Sequence, residues 1–352
     1  MSKLLKVGIV GVGGIAHTHM PGWEKSEHAE VVAGTDGFEE LLAEWGKKHN
    51  VTKLTTRLED LLEDKDIDII DVCNPSAYHA PISIAALKAG KHVICEKPLA
   101  PTPEEVRAMI AARDESGKLL MTAQHMRFHG SSQAYKREIE DGQLGDIYHA
   151  RSWWLRRASF PTRPSFWLKE HSGGGPCIDI GVHVLDLTLW LMGNPQPVTV
   201  SGIARTEMSN KPGMFSSWGG GPVPDQHDVE DFAAGFVRFE NGASLVVETS
   251  WILHHEAEMD GFHFWLYGTD GGIEHPGNRL VKTNYNSKQL YTTELKLMQD
   301  PDKPHQLECM AFAKAIAEGA PSPVPAEQSL QVMQILDGIY RSSAAGKEIR
   351  LD

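Results

Sequence analysis

Two short motifs, far apart in the chain, carry side chains that could move a proton. Lys97 stands in Cys95-Glu96-Lys97-Pro98, directly after an apolar run, and the proline holds it in an extended backbone. A lysine so placed could hydrogen-bond a substrate oxygen and stabilise negative charge developing on it. The second motif runs Gly173-Gly174-Gly175-Pro176-Cys177-Ile178-Asp179-Ile180-Gly181-Val182-His183-Val184-Leu185-Asp186. On one helix from about Pro176 to Met192, Asp179 and His183 are i and i+4 and share a face, with Asp186 a turn beyond. An imidazole titrates near neutrality, so His183 could take the proton of a hydroxyl as hydride leaves its carbon. Two other readings of this motif stand beside that one. Asp179 and His183 could join His171 in an O/N zinc site, or His183 could be a core histidine with capping aspartates.

Hydride chemistry needs a cofactor, and Gly11-Val12-Gly13-Gly14-Ile15-Ala16 lies between a strand and a helix, as the G-x-G-x-x-G/A fingerprint requires. Gly11 permits the tight turn, Gly13 lets backbone approach a pyrophosphate, and Ala16 lets the helix lie close to the strand. Gly14 and Ile15 fall at the helix amino end, whose unpaired amides would face the phosphates. Asp36 ends the next strand, where a carboxylate accepts hydrogen bonds from ribose hydroxyls and repels a 2'-phosphate. NAD is therefore expected over NADP. Asn74 and His79, in the loop after the run Ile67 to Cys73, are expected cofactor contacts, with helix capping by Ser76 the plainer alternative. Glu96 and Lys97 occupy the equivalent place after the following strand, since loops at the carboxyl ends of parallel strands line the ligand crevice.

The elements that must position these groups follow from pattern. From Lys6 to Gln124, short apolar runs (Lys6 to Val10, Val31 to Thr35, Ile67 to Cys73, His92 to Cys95, Leu119 to Ala123) alternate with amphipathic helical stretches, which predicts a parallel sheet covered by helices. After Gln124 the runs lengthen, at Ile147 to Leu155, Val198 to Arg205, Phe232 to Phe239, Ala243 to Trp251 and Phe262 to Tyr267. Glu240-Asn241-Gly242 marks a hairpin, so a largely antiparallel sheet is expected, with helices near Pro176 to Met192, His305 to Glu318 and Glu327 to Ala345 on one face. Met208 to Gln226, rich in Pro and Gly, reads as a long structureless loop with a functional role. The expected division is 1–124 for the cofactor and 125–352 for substrate binding and assembly.

Bulk properties bound the rest. At 352 residues two domains are expected. A net charge of -13 argues against a nucleic-acid groove or an anionic membrane surface as partner. Four scattered cysteines suit a reducing compartment better than a disulfide framework, and no apolar stretch has the length of a bilayer span or a signal segment. A cytoplasmic location is the expectation.

The three motifs, in this order and spacing, resemble the Gfo/Idh/MocA oxidoreductase family along essentially the whole chain. The resemblance implies an amino-terminal Rossmann domain and a carboxyl-terminal α/β domain whose large, mostly antiparallel open sheet forms a dimer or tetramer interface. It implies Lys97 and His183 as the catalytic pair with Asp179 beside them, Gln124 near the nicotinamide, and metal-free hydride transfer from a sugar, glycoside or cyclic polyol to NAD(P). For substrate contacts, Arg127 and Trp167 lead a group that also holds Trp153, Trp154, Arg156, Arg157, Phe160 and Arg163, since aromatic faces and forked donors suit a hydroxylated ring. Packing of the sheet is the competing reading. An NAD-dependent glycosidase working by transient oxidation and elimination, and a non-catalytic NAD-binding sensor, are the alternative functions.

Overall fold

A computed structural model of the protein describes residues 4–218, 220–296 and 301–351. Six strands form the first sheet: β1 (Leu5–Val10), β2 (Ala29–Thr35), β3 (Lys53–Thr55), β4 (Ile69–Val72), β5 (His92–Glu96) and β6 (Leu120–Ala123). They lie in the order β3-β2-β1-β4-β5-β6, every neighbouring pair parallel. β4 and β6 are buried throughout, as strands covered by helices on both faces must be. The order reverses at β1, and the Gly loop follows that strand, which is where open parallel sheets bind ligands.

The second sheet has nine strands: β7 (Ile147–Leu155), β8 (Pro197–Arg205), β11 (Phe232–Phe239), β12 (Ser244–Ser250), β13 (Gly261–Gly268), β14 (Gly272–His275), β15 (Arg279–Asn284), β16 (Gln289–Glu294) and β17 (Ile349–Arg350), the short pair β9 (Phe215–Ser216) and β10 (Gly221–Pro222) standing apart. Its order is β16-β15-β14-β13-β7-β12-β11-β8-β17. All pairs are antiparallel except β7 with β12. β11 alternates buried and less buried residues, the signature of a sheet with one packed face. Gly202 and Gly235 let Ile339 lie close on that face, since a Cβ on either would come within 2.9 Å of it.

Three expectations need correction. A single cut after Gln124 is replaced by two compact units, one of residues up to 129 together with 301–330, the other of 130–296 together with 331–351. The returning segment belongs to the first unit because the Pro304–Glu318 helix packs on the Gly14–Lys25 helix. A Cβ on Gly22 would lie 2.7 Å from the Gln306 backbone, and Cys309, Phe312, Ala313 and Val324 share one apolar core with Val7, Ile9 and Trp23. Second, the expected continuous helix breaks at Ile180 into Pro176–Asp179 and Gly181–Leu191. Third, the 208–226 stretch is not structureless. β9 pairs with β10, and Met208, Met214 and Val223 pack on Phe160, Trp167, Ile180 and Trp251.

Candidate active site

In the first unit the Gly loop is built around two different glycines. Gly11 has φ +86, and a Cβ there would sit 2.9 Å from the Asn74 amide nitrogen and side chain, so glycine is required by the protein itself. Around Gly13 a Cβ would meet nothing within 4 Å. Its bare backbone faces space open to a ligand. Gly14 begins the helix, Ile15 is half-buried and Ala16 fully buried against the core. Asp36 ties this loop down, its Oδ2 accepting from the Val12 amide at 2.9 Å while Oδ1 accepts from Phe38 at 3.0 Å. A carboxylate has lone pairs left after two such bonds, so the ribose role expected of Asp36 stays open to it.

Two amide side chains, one buried and one half-buried, fit a nicotinamide dinucleotide. Gln124 is fully buried, and neither its Nε2 nor its Oε1 has a hydrogen-bond partner among the described residues. The Oδ1 of Asn74 is likewise without one. A buried unpaired polar group costs about 1–3 kcal/mol, a penalty that a ligand's amide or hydroxyl would relieve. Four histidines lie about β5: His125 stacks on His305 at 3.9 Å between ring centroids, and His129 and His19 lie 6.2 Å and 6.3 Å from His125 and His305 respectively. Burial holds His125 down to about 3 and His305 to about 4, so both are neutral rings near Lys97.

Two expected cofactor contacts have other tasks. The His79 ring bridges the Pro98 and Asn74 carbonyls, 2.7 Å from Nδ1 and 2.8 Å from Nε2, and stays buried. It staples the loop after β4 to the loop carrying Lys97. Glu96 turns into the fold: Oε1 meets His19 Nε2 at 3.0 Å and Oε2 accepts the Lys97 amide at 3.0 Å. Burial alone would raise its pKa, but the hydrogen bond and charge of His19, with Lys97 adding, bring it to about 2. Arg127 is buried as well, and its Nη1 donates to Gln328 within the same unit.

In the second unit Asp179 and His183 stand on either side of the helix break. Asp179 Oδ2 accepts from Trp251 Nε1 at 3.2 Å. His183 is 6% exposed, with the Trp154 ring 6.0 Å away. Arg156 lies over Trp154 at 5.2 Å and over Trp218 at 5.3 Å. Burial lowers its pKa, a drop that Asp179 and Asp260 oppose. Trp167 is 8% exposed in the cluster with Ile180 and Trp251, and its indole N–H has no hydrogen-bond partner among the described residues. Trp153 lies elsewhere, stacked flat on His263 at 5.0 Å, so neighbouring tryptophans of one strand serve different surroundings. Phe160 is fully buried and packs edge-on to Trp251.

Sequence reasoning missed the acids that hold this machinery. Glu230 accepts from the Gly175 and Cys177 amides, each at 3.0 Å, and from the Tyr340 hydroxyl at 2.9 Å. Asp231 accepts from the Met208 and Ser209 amides, each at 2.7 Å, and so anchors the 208–226 loop. Adjacent acids before an apolar strand carry no local mark of such roles. The groupings of possible metal ligands among the described residues belong to the first unit, His19 with Asp71 and Cys73, and His19 with Glu96 and Glu308.

A Gly loop at the turning point of a parallel sheet, with a lysine after β5, defines an NAD-binding Rossmann oxidoreductase. Residues 5–124 match the family model described as an oxidoreductase family with an NAD-binding Rossmann fold, and residues 132–274 match the GFO/IDH/MocA C-terminal domain. The chain is 30% identical to D-glucoside 3-dehydrogenase of Escherichia coli (strain K12) over 99% of its own length and 98% of that protein's. It is 31% identical to levoglucosan dehydrogenase of Pseudarthrobacter phenanthrenivorans over 76% of its length and 73% of the relative's. The solved structure of levoglucosan dehydrogenase in complex with NADH and levoglucosan superposes with a TM-score of 0.82 at 27% identity, covering 99% of this chain and all of that one. The protein belongs to the Gfo/Idh/MocA family of oxidoreductases. No described helix is long and apolar enough to cross a membrane.

Proposed function

We propose that this enzyme oxidises a secondary hydroxyl of a sugar, glycoside or cyclic polyol, with NAD as the hydride acceptor. The observation that carries the reading is the Gly loop and Lys97 at the carboxyl ends of strands of one parallel sheet; similarity to sugar dehydrogenases along the full chain supports it. Gly11, Gly13, Gly14, Ile15 and Ala16 would hold the dinucleotide phosphates, Asp36 the adenosine ribose, and Asn74 and Gln124 the nicotinamide end. NAD, when bound, supplies the site that accepts hydride.

The remaining work falls to side chains. Lys97 donates a hydrogen bond to the substrate oxygen and steadies its negative charge, while His183 takes the hydroxyl proton. The proton belongs to the pair and can rest on either member as the reaction proceeds. Asp179, already oriented by Trp251, accepts from a neighbouring hydroxyl. The free indole N–H of Trp167 and the faces of Trp154 and Trp167 suit a ring bearing hydroxyls. Arg127, whose Nη1 donates to Gln328, would add a forked donor for a substrate hydroxyl.

Assembly through the second sheet fits the same reading. The face bearing Trp153, His263 and Trp265, a close-packed aromatic group, and exposed Ile203, would be covered by a second copy. All four cysteines are free and buried, which suits the cytoplasm. The test is a screen of inositols, aldoses, glucosides and anhydrosugars with NAD and with NADP, following reduced cofactor by absorbance. Nitrophenyl glycosides without added NAD form a parallel arm. Reduced NAD from a polyhydroxylated compound is expected; nitrophenol release without it would replace this reading by oxidation and elimination.

A further inference from the structure

Behind Lys97 lies a buried chain of polar groups that the chemistry above does not use. The Trp23 indole N–H donates to Asp71 Oδ2 at 2.8 Å, and His19 Nδ1 faces the same carboxylate at 3.0 Å. The other ring nitrogen of His19 meets Glu96 Oε1 at 3.0 Å, and the second oxygen of Glu96 takes the Lys97 amide. Trp23, His19 and Asp71 have no exposure and Glu96 is 8% exposed. With a carboxylate at each nitrogen, both must donate, so the ring is an imidazolium. Burial disfavours that charge, but Asp71 and the hydrogen bonds outweigh it and raise the His19 pKa well above 6.5. Glu308, Cys73, Cys309 and His305 also face this ring.

We propose that His19 is a positioning residue for Lys97: its imidazolium bridges Asp71 and Glu96 and thereby fixes both the backbone and the charge beside the reactive lysine. The proposal rests on the role given to Lys97 above. A buried carboxylate that lost its cation would protonate or swing toward water, since an unpaired buried charge is costly. Either change frees the Lys97 amide and alters the field at its ammonium. Neither His19 nor Asp71 would touch the substrate.

The experiment measures Lys97 itself, so it does not depend on finding the substrate. Wild type, His19→Gln and the isosteric Glu96→Gln are labelled with acetic anhydride across a pH series, and the modified fraction of Lys97 is read by peptide mass spectrometry against surface Lys47. The Lys97 labelling profile is expected to move by about one pH unit in both variants, a tenfold change in its ionisation, with Lys47 unchanged. Turnover of any substrate found for wild type should fall at least tenfold while KM changes little. An unmoved Lys97 profile in folded His19→Gln or Glu96→Gln overturns the proposal. If wild type oxidises no polyol, the functional reading fails while the labelling still decides the role of His19.

Discussion

Glu230 and Gly175 are bonded at the point where the chain turns into the Pro176–Asp179 helix: the Gly175 amide donates to Glu230 Oε2 at 3.0 Å. A Cβ on Gly175 would lie 2.1 Å from the Glu230 carbonyl oxygen, so the two strands of chain can approach this closely only because residue 175 is glycine. Cys177 and Tyr340 complete the carboxylate's shell. Asp179, and His183 beyond the break, are therefore aimed by an acid more than forty residues downstream.

Removal of that acid should be costly. Glu230→Ala leaves three donors unpaired, two of them buried amides, and is expected to destabilise the fold by roughly 3 kcal/mol. Glu230→Gln keeps the shape and should cost less. Burial raises the Glu230 pKa above its ordinary 4.5, an effect its hydrogen bonds only partly offset. A group raised in the folded state favours the fold fully below its unfolded pKa and loses that contribution as pH climbs through the raised value. The melting-temperature advantage of wild type over Glu230→Gln should therefore shrink on going from acid to neutral pH. Thermal melts of both proteins across that range check it, and a gap that widens instead would reverse the sign assigned to Glu230.

The first two glycines of the nucleotide loop should separate by what their alanine variants lose. Gly11→Ala places a side chain at φ +86 against Asn74, and a destabilisation of about 1–3 kcal/mol is expected. Gly13→Ala meets no protein atom, so stability should stay within about 0.5 kcal/mol of wild type. Its methyl would stand where the pyrophosphate is expected, and NAD affinity should drop at least tenfold. Denaturant unfolding and NAD titration of the same two preparations distinguish these outcomes, and unaltered NAD binding by Gly13→Ala would remove Gly13 from the phosphate site.

Much of this architecture was legible because burial leaves a pattern. β1, β4, β5 and β6 are apolar runs flanked by helices, and the Gly loop and Lys97 follow directly from them. β15 and β16 were not legible: β16 is exposed along its whole length, so no apolar face marks it. Nor was the return of 301–330 to the first unit, since Cys309, Phe312 and Ala313 would suit any apolar sheet. His19 reads as one more helical histidine, and its carboxylate partners lie 52 and 77 positions away. The helix pattern over 176–192 was right in type and wrong in continuity, for Ile180, which packs with Trp167 and Trp251, interrupts it.

Asp36 gives a test of cofactor choice that its structural bonds make sharper. One oxygen holds the Val12 amide and the other the Phe38 amide, so a small replacement would disturb the loop as well as the ribose site. Asp36→Asn keeps one oxygen, enough for the Val12 amide, and loses the charge together with the bond from the Phe38 amide. The ratio of kcat/KM with NAD to that with NADP should fall at least tenfold, about 1.4 kcal/mol. Equal losses with both cofactors would mean that Asp36 only anchors the loop.

Lys97 and His183 should answer alike in chemistry and differently in binding. General acid–base catalysis contributes about 10²–10⁴-fold, so Lys97→Ala and His183→Ala are each expected to lower kcat by that order. NAD affinity should stay within about threefold for His183→Ala, since that residue belongs to the second unit, and shift slightly more for Lys97→Ala, whose loop follows β5. The double variant should be little slower than the worse single one, because groups that share one proton act as a unit. Strictly additive losses would mean that the two residues assist separate steps. Near-normal turnover by either single variant would remove that residue from the mechanism, and Asp179, held by Trp251, would then be the next group to replace.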